Sequence, residues 1–535
     1  MLNKKQWILF GLVILILLIN NWSLPFWDQD EPAYAGFART MNETGDYLIP
    51  DFYFSHDHRK TPLHFWNIAL SFKIFGSNEF ATRLPSFIAI VGTMLLMLFQ
   101  GAKLIGQKAS FNSVIIIGTS ILVTALAKVS VTDATVLFFS TLSAFGLINT
   151  LQSPSLKWGS LFWLGIALGV LTKGPPIVLF IGAFALILFI FHPKRYNLLK
   201  LHPWFFLPLA LAPVILWGYM TTLRDGGDFL SWMYDWYVKQ RVTGSVYDKE
   251  GPFSTHMLLI FGFFFLSIMY FFNAFRDSFK GFFTKESTLI ILGAWFISGW
   301  FFYEFSPSKL PAYVIVAHVP LALLIGNYMN TLQTNESRPH IALTSVHYLI
   351  NFIFGLALTI VPFIISDYSE ITLNDNLSIA LSIIGVLYTA ALIFQLTKFK
   401  KPIFFNIQAY SSLLLLLSLW AIAPLFTNHI NSSKQVSEYV LSQTNSETEI
   451  IIAHAPGKQP SLPFYLGKQS NPIHIEENTA ELLKYISTKK NIAIVANLEQ
   501  FETLDQVYPN MDYKIISTRI IDRKDIAEYY ICIIK

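Results

Sequence analysis

Trp7-Ile8-Leu9-Phe10-Gly11-Leu12-Val13-Ile14-Leu15-Ile16-Leu17-Leu18 begins an apolar run that continues to Leu24, and Trp27-Asp28-Gln29-Asp30-Glu31-Pro32 follows it. Lys4 and Lys5 precede the run. Cations before a membrane-length helix and carboxylates after it orient the helix, with the acids on the non-cytoplasmic side. A carboxylate at the mouth of a membrane protein is costly to half-bury, so Asp30 and Glu31 are read first as functional. The plainer alternative is a solvated acidic turn after a helix. A cleaved signal peptide is a further reading; the length of the run and the lack of an A-x-A-like site speak against it.

Composition places the rest of the chain. It has 535 residues, 53% hydrophobic, 16% aromatic and 13% charged. A soluble globular chain carries about 25% charged residues. This one is expected to be a polytopic α-helical membrane protein. The net charge of +4 sits mostly in short loops, which speaks for topology and against a nucleic-acid partner. Cys532 is the single cysteine, which excludes an intrachain disulfide and a cysteine-based metal site.

Apolar runs near the roughly 20 residues needed to span the hydrocarbon core predict about thirteen transmembrane helices. They cover residues 7–24, 84–105, 112–128, 133–149, 158–172, 176–191, 203–219, 255–275, 289–303, 311–328, 346–366, 377–396 and 404–426. With the N-terminus inside, the inner loops hold Lys103 and Lys108, then Lys194, Arg195 and Lys200, then Arg276, Lys280 and Lys285, then Lys398, Lys400 and Lys401. The outer loop 367–375 has acids and neither Lys nor Arg. This is the positive-inside pattern.

Three outer segments are long. In 28–83, residues 33–44 and 63–75 read as short amphipathic helices at the interface. In 222–254, Trp232, Trp236 and two tyrosines fit an interfacial aromatic belt; a sugar-stacking platform is the less common alternative. From 428 on the chain turns polar, with short apolar runs at 449–453, 491–495 and 529–534 and helix-like stretches at 477–487 and 498–504. Strands alternating with helices predict a small α/β domain. The expected organisation is a transmembrane domain over 1–427, with a catalytic outer loop at 28–83, and an extracytoplasmic α/β domain over 428–535. No internal repeat of the kind that marks inverted-repeat transporters is visible.

On this topology one membrane face collects a specific set of charges. Asp30 and Glu31 follow the first span, and His56-Asp57-His58-Arg59-Lys60-Thr61-Pro62-Leu63 lies in the first outer loop. Asp133 opens one span, Lys173 ends another, and Lys309 precedes a third. Lysines hold phosphate, and a carboxylate takes a proton from a hydroxyl. A lipid-phosphate substrate presents its head group at that depth. For Lys173, snorkelling at a helix end is an equally simple reading.

Five motifs occur in order: Asp30-Glu31, Arg59-Lys60-Thr61-Pro62-Leu63, Arg83-Leu84-Pro85-Ser86, Leu171-Thr172-Lys173-Gly174-Pro175 and Ser308-Lys309-Leu310-Pro311. Each alone is weak. Together, over roughly residues 7–326, they resemble the bacterial aminoarabinose (lipid A) transferase family, which is related to the protein O-mannosyltransferases and shares the C-type glycosyltransferase membrane fold. The resemblance implies transfer of a sugar from a polyprenyl phosphate to an acceptor on the outer side of the inner membrane. It implies Asp30 as the catalytic carboxylate, with Glu31 beside it and Asp133 as a second acid. It implies Lys60 on the lipid phosphate, and Lys309 with Tyr313 lining the same cavity. Lys173 is a further candidate cation.

The chain departs from the family pattern in places. Ala33 stands where an arginine is common, Thr61 replaces the first proline of the lysine motif, and Arg59 replaces the acid that usually precedes the lysine. Arg59 offers a replacement phosphate cation. Loss of that acid removes a ligand for a divalent metal ion, for which His56, Asp57 and His58 are alternative ligands; a solvated polar turn explains the same three residues, because adjacent histidines seldom have site geometry. No other cofactor is implied.

The chemistry needs a base for the acceptor hydroxyl and cations for the developing phosphate charge, and one attack on the anomeric carbon inverts it. The expected partners are a polyprenyl-phosphate-linked sugar donor, a lipid A, protein or glycan acceptor, and membrane lipids. Two other classes compete. A flippase or transporter for a lipid-linked sugar would place charges near the midplane on broken helices. A non-catalytic envelope scaffold would not need Asp30 and Lys60 in separate matching motifs. A polysaccharide-chain transferase of the same fold is a related enzyme reading.

Overall fold

The computed structural model describes residues 3–240, 251–306, 308–368, 375–430, 432–454, 459–467, 473–519 and 526–534. Parts of the second outer segment (241–250) and of the acidic outer loop (369–374) therefore lie outside the described residues. Among the described residues eight helices are long and apolar enough to cross a membrane: Glu79–Ile105, Thr132–Gln152, Pro203–Asp225, Ser287–Glu304, Pro311–Thr334, Ile341–Ile364, Asp375–Thr397 and Phe404–Thr427. The pair Thr255–Phe263 and Phe265–Thr284, bent by 68°, makes a ninth if it is one span. The protein is a polytopic helical membrane protein. The other four expected spans fall on helices that do not meet the same measure: Lys4–Leu18, Gln107–Gly118 with Ile121–Leu126, Leu156–Lys173 and Pro176–Phe191. The first stops at Leu18: Ile19 has a non-helical ψ of 133°, and Asn20 is left-handed (φ 63°), with its side-chain amide donating to the carbonyls of Trp420 and Ala421.

Two compact units form. One comprises residues 1–20, 60–64 and 83–422, and the other 21–59, 65–82 and 423–535. The first is the membrane unit. Its core is a continuous apolar cluster that includes Val13, Ile117, Phe145, Phe184, Trp295 and Leu321. Lipid supplies no hydrophobic drive between helices, so close backbone packing must. Helices Thr132–Gln152 and Leu156–Lys173 show this packing. A Cβ on Gly146 would lie 2.6 Å from the backbone nitrogen of Phe162, and one on Gly165 would lie 2.7 Å from the carbonyl oxygen of Phe139. The hairpin brings the start of the first helix beside the end of the second.

The second unit carries a small mixed sheet. Its strands are β1 (Glu449–Ile452), β2 (Ile473–Ile475), β3 (Ile492–Ala496), β4 (Asp512–Arg519) and β5 (Ile526–Ile534), in the order β2-β1-β3-β5-β4. β1 pairs parallel with β2 and β3, with Ile451 opposite Ile494, and β5 runs antiparallel to β3 and β4. β1 and β3 are covered on both faces, which is why they read as unbroken apolar runs. Helices Thr479–Ile486 and Leu498–Val507 accompany the sheet, each started by an asparagine side chain that accepts a backbone N–H of its first turn. The same unit holds helix Asp30–Thr44. That helix begins three residues before the expected start, so Asp30 and Glu31 form its first turn, where the helix dipole favours negative charge.

Candidate active site

In the membrane unit the hairpin places two of the expected residues together. Asp133 lies in the first turn of Thr132–Gln152 and Lys173 in the last turn of Leu156–Lys173, so each charge suits its helix dipole. Gly174, at φ +82°, ends the second helix just past the lysine. Lys173 Nζ donates to Asp133 Oδ1 at 2.6 Å, with side-chain exposures of 18% and 13%. The same ammonium lies 5.5 Å from the ring centroid of Tyr313, a cation–π distance. Tyr313 packs on Tyr303 with ring centroids 4.7 Å apart. Three expected residues, Asp133, Lys173 and Tyr313, thus form one cluster at the ends of helices.

The segment 60–64 belongs to this unit as well. His64 is fully buried, with Nδ1 3.1 Å from Thr135 Oγ1 and Nε2 3.2 Å from Ser130 Oγ. Those two hydroxyls flank Asp133, so His64 pegs the chain four residues after Lys60 to the turn that carries Asp133. Burial lowers the His64 pKa to about 3, and the charge of nearby Lys60 acts in the same direction. His64 is therefore a neutral imidazole at pH 7. Lys60 itself is half-buried.

Lys309 is held by another helix end. Its ammonium donates to the carbonyls of Glu304 at 2.6 Å and Tyr303 at 3.3 Å, the last residues of Ser287–Glu304, and lies 3.8 Å from the Glu304 carboxylate. A cation on terminal carbonyls is a favourable C-cap. Next to it, the buried His256 has Nε2 3.2 Å from the carbonyl of Leu310, with its ring centroid 6.2 Å from that of Tyr303 and 6.5 Å from that of Tyr313.

The remaining expected residues lie in the second unit. Asp30 Oδ1 accepts from Tyr34 Oη at 3.2 Å and lies 2.8 Å from His58 Nδ1, and its side chain is 51% exposed. Glu31 is fully buried and accepts the backbone N–H of Trp27 at 3.1 Å. Asp28 is buried too, with its carboxylate bonded to the backbone N–H and hydroxyl of Ser461. Arg59 turns back on His56, donating to its carbonyl at 3.1 Å and contacting its ring nitrogen Nε2. Asp57 lies 3.4 Å from the other ring nitrogen of His56. His56 and His58 thus face different partners. Among the described residues no three His, Cys, Asp or Glu side chains converge as a metal site would require.

Residues 59–219 match the family model described as dolichyl-phosphate-mannose-protein mannosyltransferase. The undecaprenyl phosphate-alpha-4-amino-4-deoxy-L-arabinose arabinosyl transferase 1 of Proteus mirabilis is 26% identical over 75% of this chain and 74% of its own length. The corresponding transferase 2 of Pseudomonas fluorescens is 24% identical over 90% of this chain and 87% of its own. The chain is a membrane glycosyltransferase, distantly homologous to these enzymes. Its fold is that of ArnT from Cupriavidus metallidurans, whose crystal structure with undecaprenyl phosphate gives a TM-score of 0.77 at 15% identity and covers 99% of this chain and 98% of that one.

Several residues of this glycosyltransferase's candidate site escaped the sequence reading. His64 stands at the start of the apolar stretch Leu63–Phe75, directly after the Lys60 motif, and a histidine there was a usable signal. Glu304, an acid inside the aromatic run Trp300-Phe301-Phe302-Tyr303-Glu304-Phe305, was another. Nothing in the local sequence pointed to His256.

Proposed function

We propose that the protein transfers a sugar from a polyprenyl-phosphate donor to an acceptor hydroxyl or phosphate on the outer side of the bacterial inner membrane. The acceptor is lipid A, a protein or a glycan. The observation that carries this reading is the Asp133–Lys173 pair against Tyr313. Asp133 is the second residue of its helix and Lys173 the last of its own, positions that suit contact with a lipid head group. A flippase would concentrate it at the midplane.

In this proposal Asp30 is the general base. The acceptor oxygen attacks the anomeric carbon, the bond from that carbon to the phosphate oxygen breaks, Asp30 takes the hydroxyl proton, and polyprenyl phosphate leaves. The single displacement inverts the anomeric centre. Half-exposure suits Asp30 to that role, since a base must reach the incoming hydroxyl. Glu31 and Asp133 are the supporting acids. Lys60, Arg59, Lys309 and Lys173 supply cationic stabilisation to the leaving phosphate, and Tyr313 supports Lys173. No step runs through a metal at His56, Asp57 and His58. The shorter helices complete a C-type glycosyltransferase domain of about thirteen spans over residues 1–427. Residues 28–83 form its outer catalytic loop, and 428–535 an extracytoplasmic α/β domain.

Mass spectrometry of lipid A, envelope glycoproteins and surface glycans from cells with and without the protein tests the reading. The expected result is one sugar-sized mass difference in one acceptor class. Purified protein with undecaprenyl-phosphate-linked sugars then reproduces it. No difference in any class, together with no turnover of any such donor, overturns the proposal.

A further inference from the structure

Glu304 is a fully buried side chain at the end of helix Ser287–Glu304. Its Oε1 accepts from the backbone N–H of Met257 at 2.7 Å and from Trp300 Nε1 at 2.8 Å. Its Oε2 accepts from the backbone N–H of Ser254 at 3.0 Å. The Lys309 ammonium lies 3.8 Å away and bonds the carbonyl of the same residue. A buried carboxylate is tolerated only with such partners.

These contacts converge on one strap of chain. Ser254 and Met257 are the residues whose N–H groups open helix Thr255–Phe263, and no side chain of that helix caps them. Glu304 therefore caps the helix from another element and places a negative charge at its N-terminus. Ser254 has φ +78°, a left-handed conformation that costs a non-glycine residue roughly 1 kcal/mol or more. The bond from its N–H to Glu304 helps hold it there. The strap also lies against Lys309, since a Cβ on Gly251 would meet Lys309 Cγ at 2.9 Å. One carboxylate thus fixes both the strap 251–257 and the ammonium of Lys309.

We propose that Glu304 is a positioning residue for the donor phosphate, acting through Lys309 and the strap. The inference rests on the assignment of Lys309 to the phosphate. Without Glu304, Lys309 keeps its charge but loses its fixed place, and the helix start loses its cap. The lysine then meets the phosphate at an entropic cost.

The test uses the full-length protein in nanodiscs, with undecaprenyl phosphate as the binding probe and an undecaprenyl-phosphate-linked sugar for turnover. For Glu304→Gln with a near-native melting temperature, the expected result is at least a tenfold loss of undecaprenyl phosphate affinity and a matching rise in donor KM. Acceptor KM stays unchanged and kcat falls less than threefold. Glu304→Asp, which keeps the charge, recovers part of the loss. Combined with Lys309→Met, Glu304→Gln adds little further loss, because the two act on one contact. Unchanged donor affinity in folded Glu304→Gln overturns the proposal, as does an equal loss for donor and acceptor. If Glu304→Gln does not fold, Trp300→Phe removes a single donor to the carboxylate: a two- to fivefold loss of donor affinity supports the proposal and no loss overturns it. Wild-type protein that fails to bind undecaprenyl phosphate sinks the donor reading itself, and with it this role for Glu304.

Discussion

Asp30 and Asp133 were the two acids in the sequence with the most to explain, and the molecule treats them in opposite ways. Asp30 sits in the first turn of a helix with half its side chain exposed, beside a histidine and a tyrosine. Asp133 is locked to Lys173 at 2.6 Å. Glu304 follows the second pattern, with three N–H donors and a lysine. A carboxylate committed to a lysine and to backbone donors is poorly placed to take up a proton, because its charge is already bonded. In the proposed mechanism such an acid holds the cations that meet the phosphate. In the same proposal the half-exposed Asp30, bonded to Tyr34 and His58, takes the proton.

This contrast breaks first at Asp30. Asp30→Asn is expected to lower turnover by roughly 10²–10⁴, about 3–5 kcal/mol in the barrier, with stability and donor affinity near those of the wild type. Turnover close to normal moves the base to Glu31 or Asp133 and removes the distinction between the two kinds of acid.

Asp133 is expected to show the reverse pattern. Asp133→Asn leaves the Lys173 ammonium without its counter-charge in a mostly buried place. Removing one partner of a buried pair costs about 3–5 kcal/mol, and the partial exposure here puts the expected loss of stability near the lower end. Asp133→Asn with Lys173→Met removes both charges, so its melting temperature is expected to lie above that of Asp133→Asn alone. Additive losses would show that the two residues act separately. Lys60 comes next in size. Lys60→Ala is expected to weaken undecaprenyl phosphate binding by roughly 1.5–3 kcal/mol, the worth of a charged hydrogen bond, with little change for the acceptor. Unchanged donor affinity would leave Lys60 as an anchor of its segment.

The sequence carried the membrane class and most of the spans, because hydropathy over 20 residues is a strong signal. It carried β1, β3 and β5 for a related reason: Ile450-Ile451-Ile452 and Ile492-Ala493-Ile494-Val495 are buried on both faces. β2 was missed because it is three residues long, and β4 because Asp512, Lys514, Ser517 and Arg519 make it read as polar chain. At the site, the individual charges were legible as motifs, but their pairing was not. Whether Lys173 meets Asp133 depends on the close approach at Gly146 and Gly165, and a single sequence gives no sign of which glycines face each other. The capping role of Glu304 joins residues some 50 positions apart and has no local signature.

The comparison extends to two histidines, and there it becomes a pH experiment. His58 lies beside the exposed Asp30, whereas His64 is buried between Ser130 and Thr135. Burial, together with the charge of Lys60, lowers the His64 pKa from the usual 6.5 to about 3. The sign follows from linkage. Between about pH 6.5 and 3 the unfolded chain binds a proton at this residue that the folded chain refuses, so its contribution to stability is full above about 6.5 and is lost as the pH falls. The loss approaches about 1.4 kcal/mol per pH unit at most. His64→Phe removes this titration and is expected to flatten the acid side of the stability curve relative to wild type. At pH 7.5 the same substitution is expected to cost about 2 kcal/mol, because it strips two buried hydroxyls of a partner. It should also raise donor KM modestly, since Lys60 loses the peg four residues away. Thermal unfolding of both proteins from pH 7.5 to 5 measures the difference. Parallel curves would mean that His64 is protonated in the folded protein and that its two hydroxyl contacts do not hold it neutral.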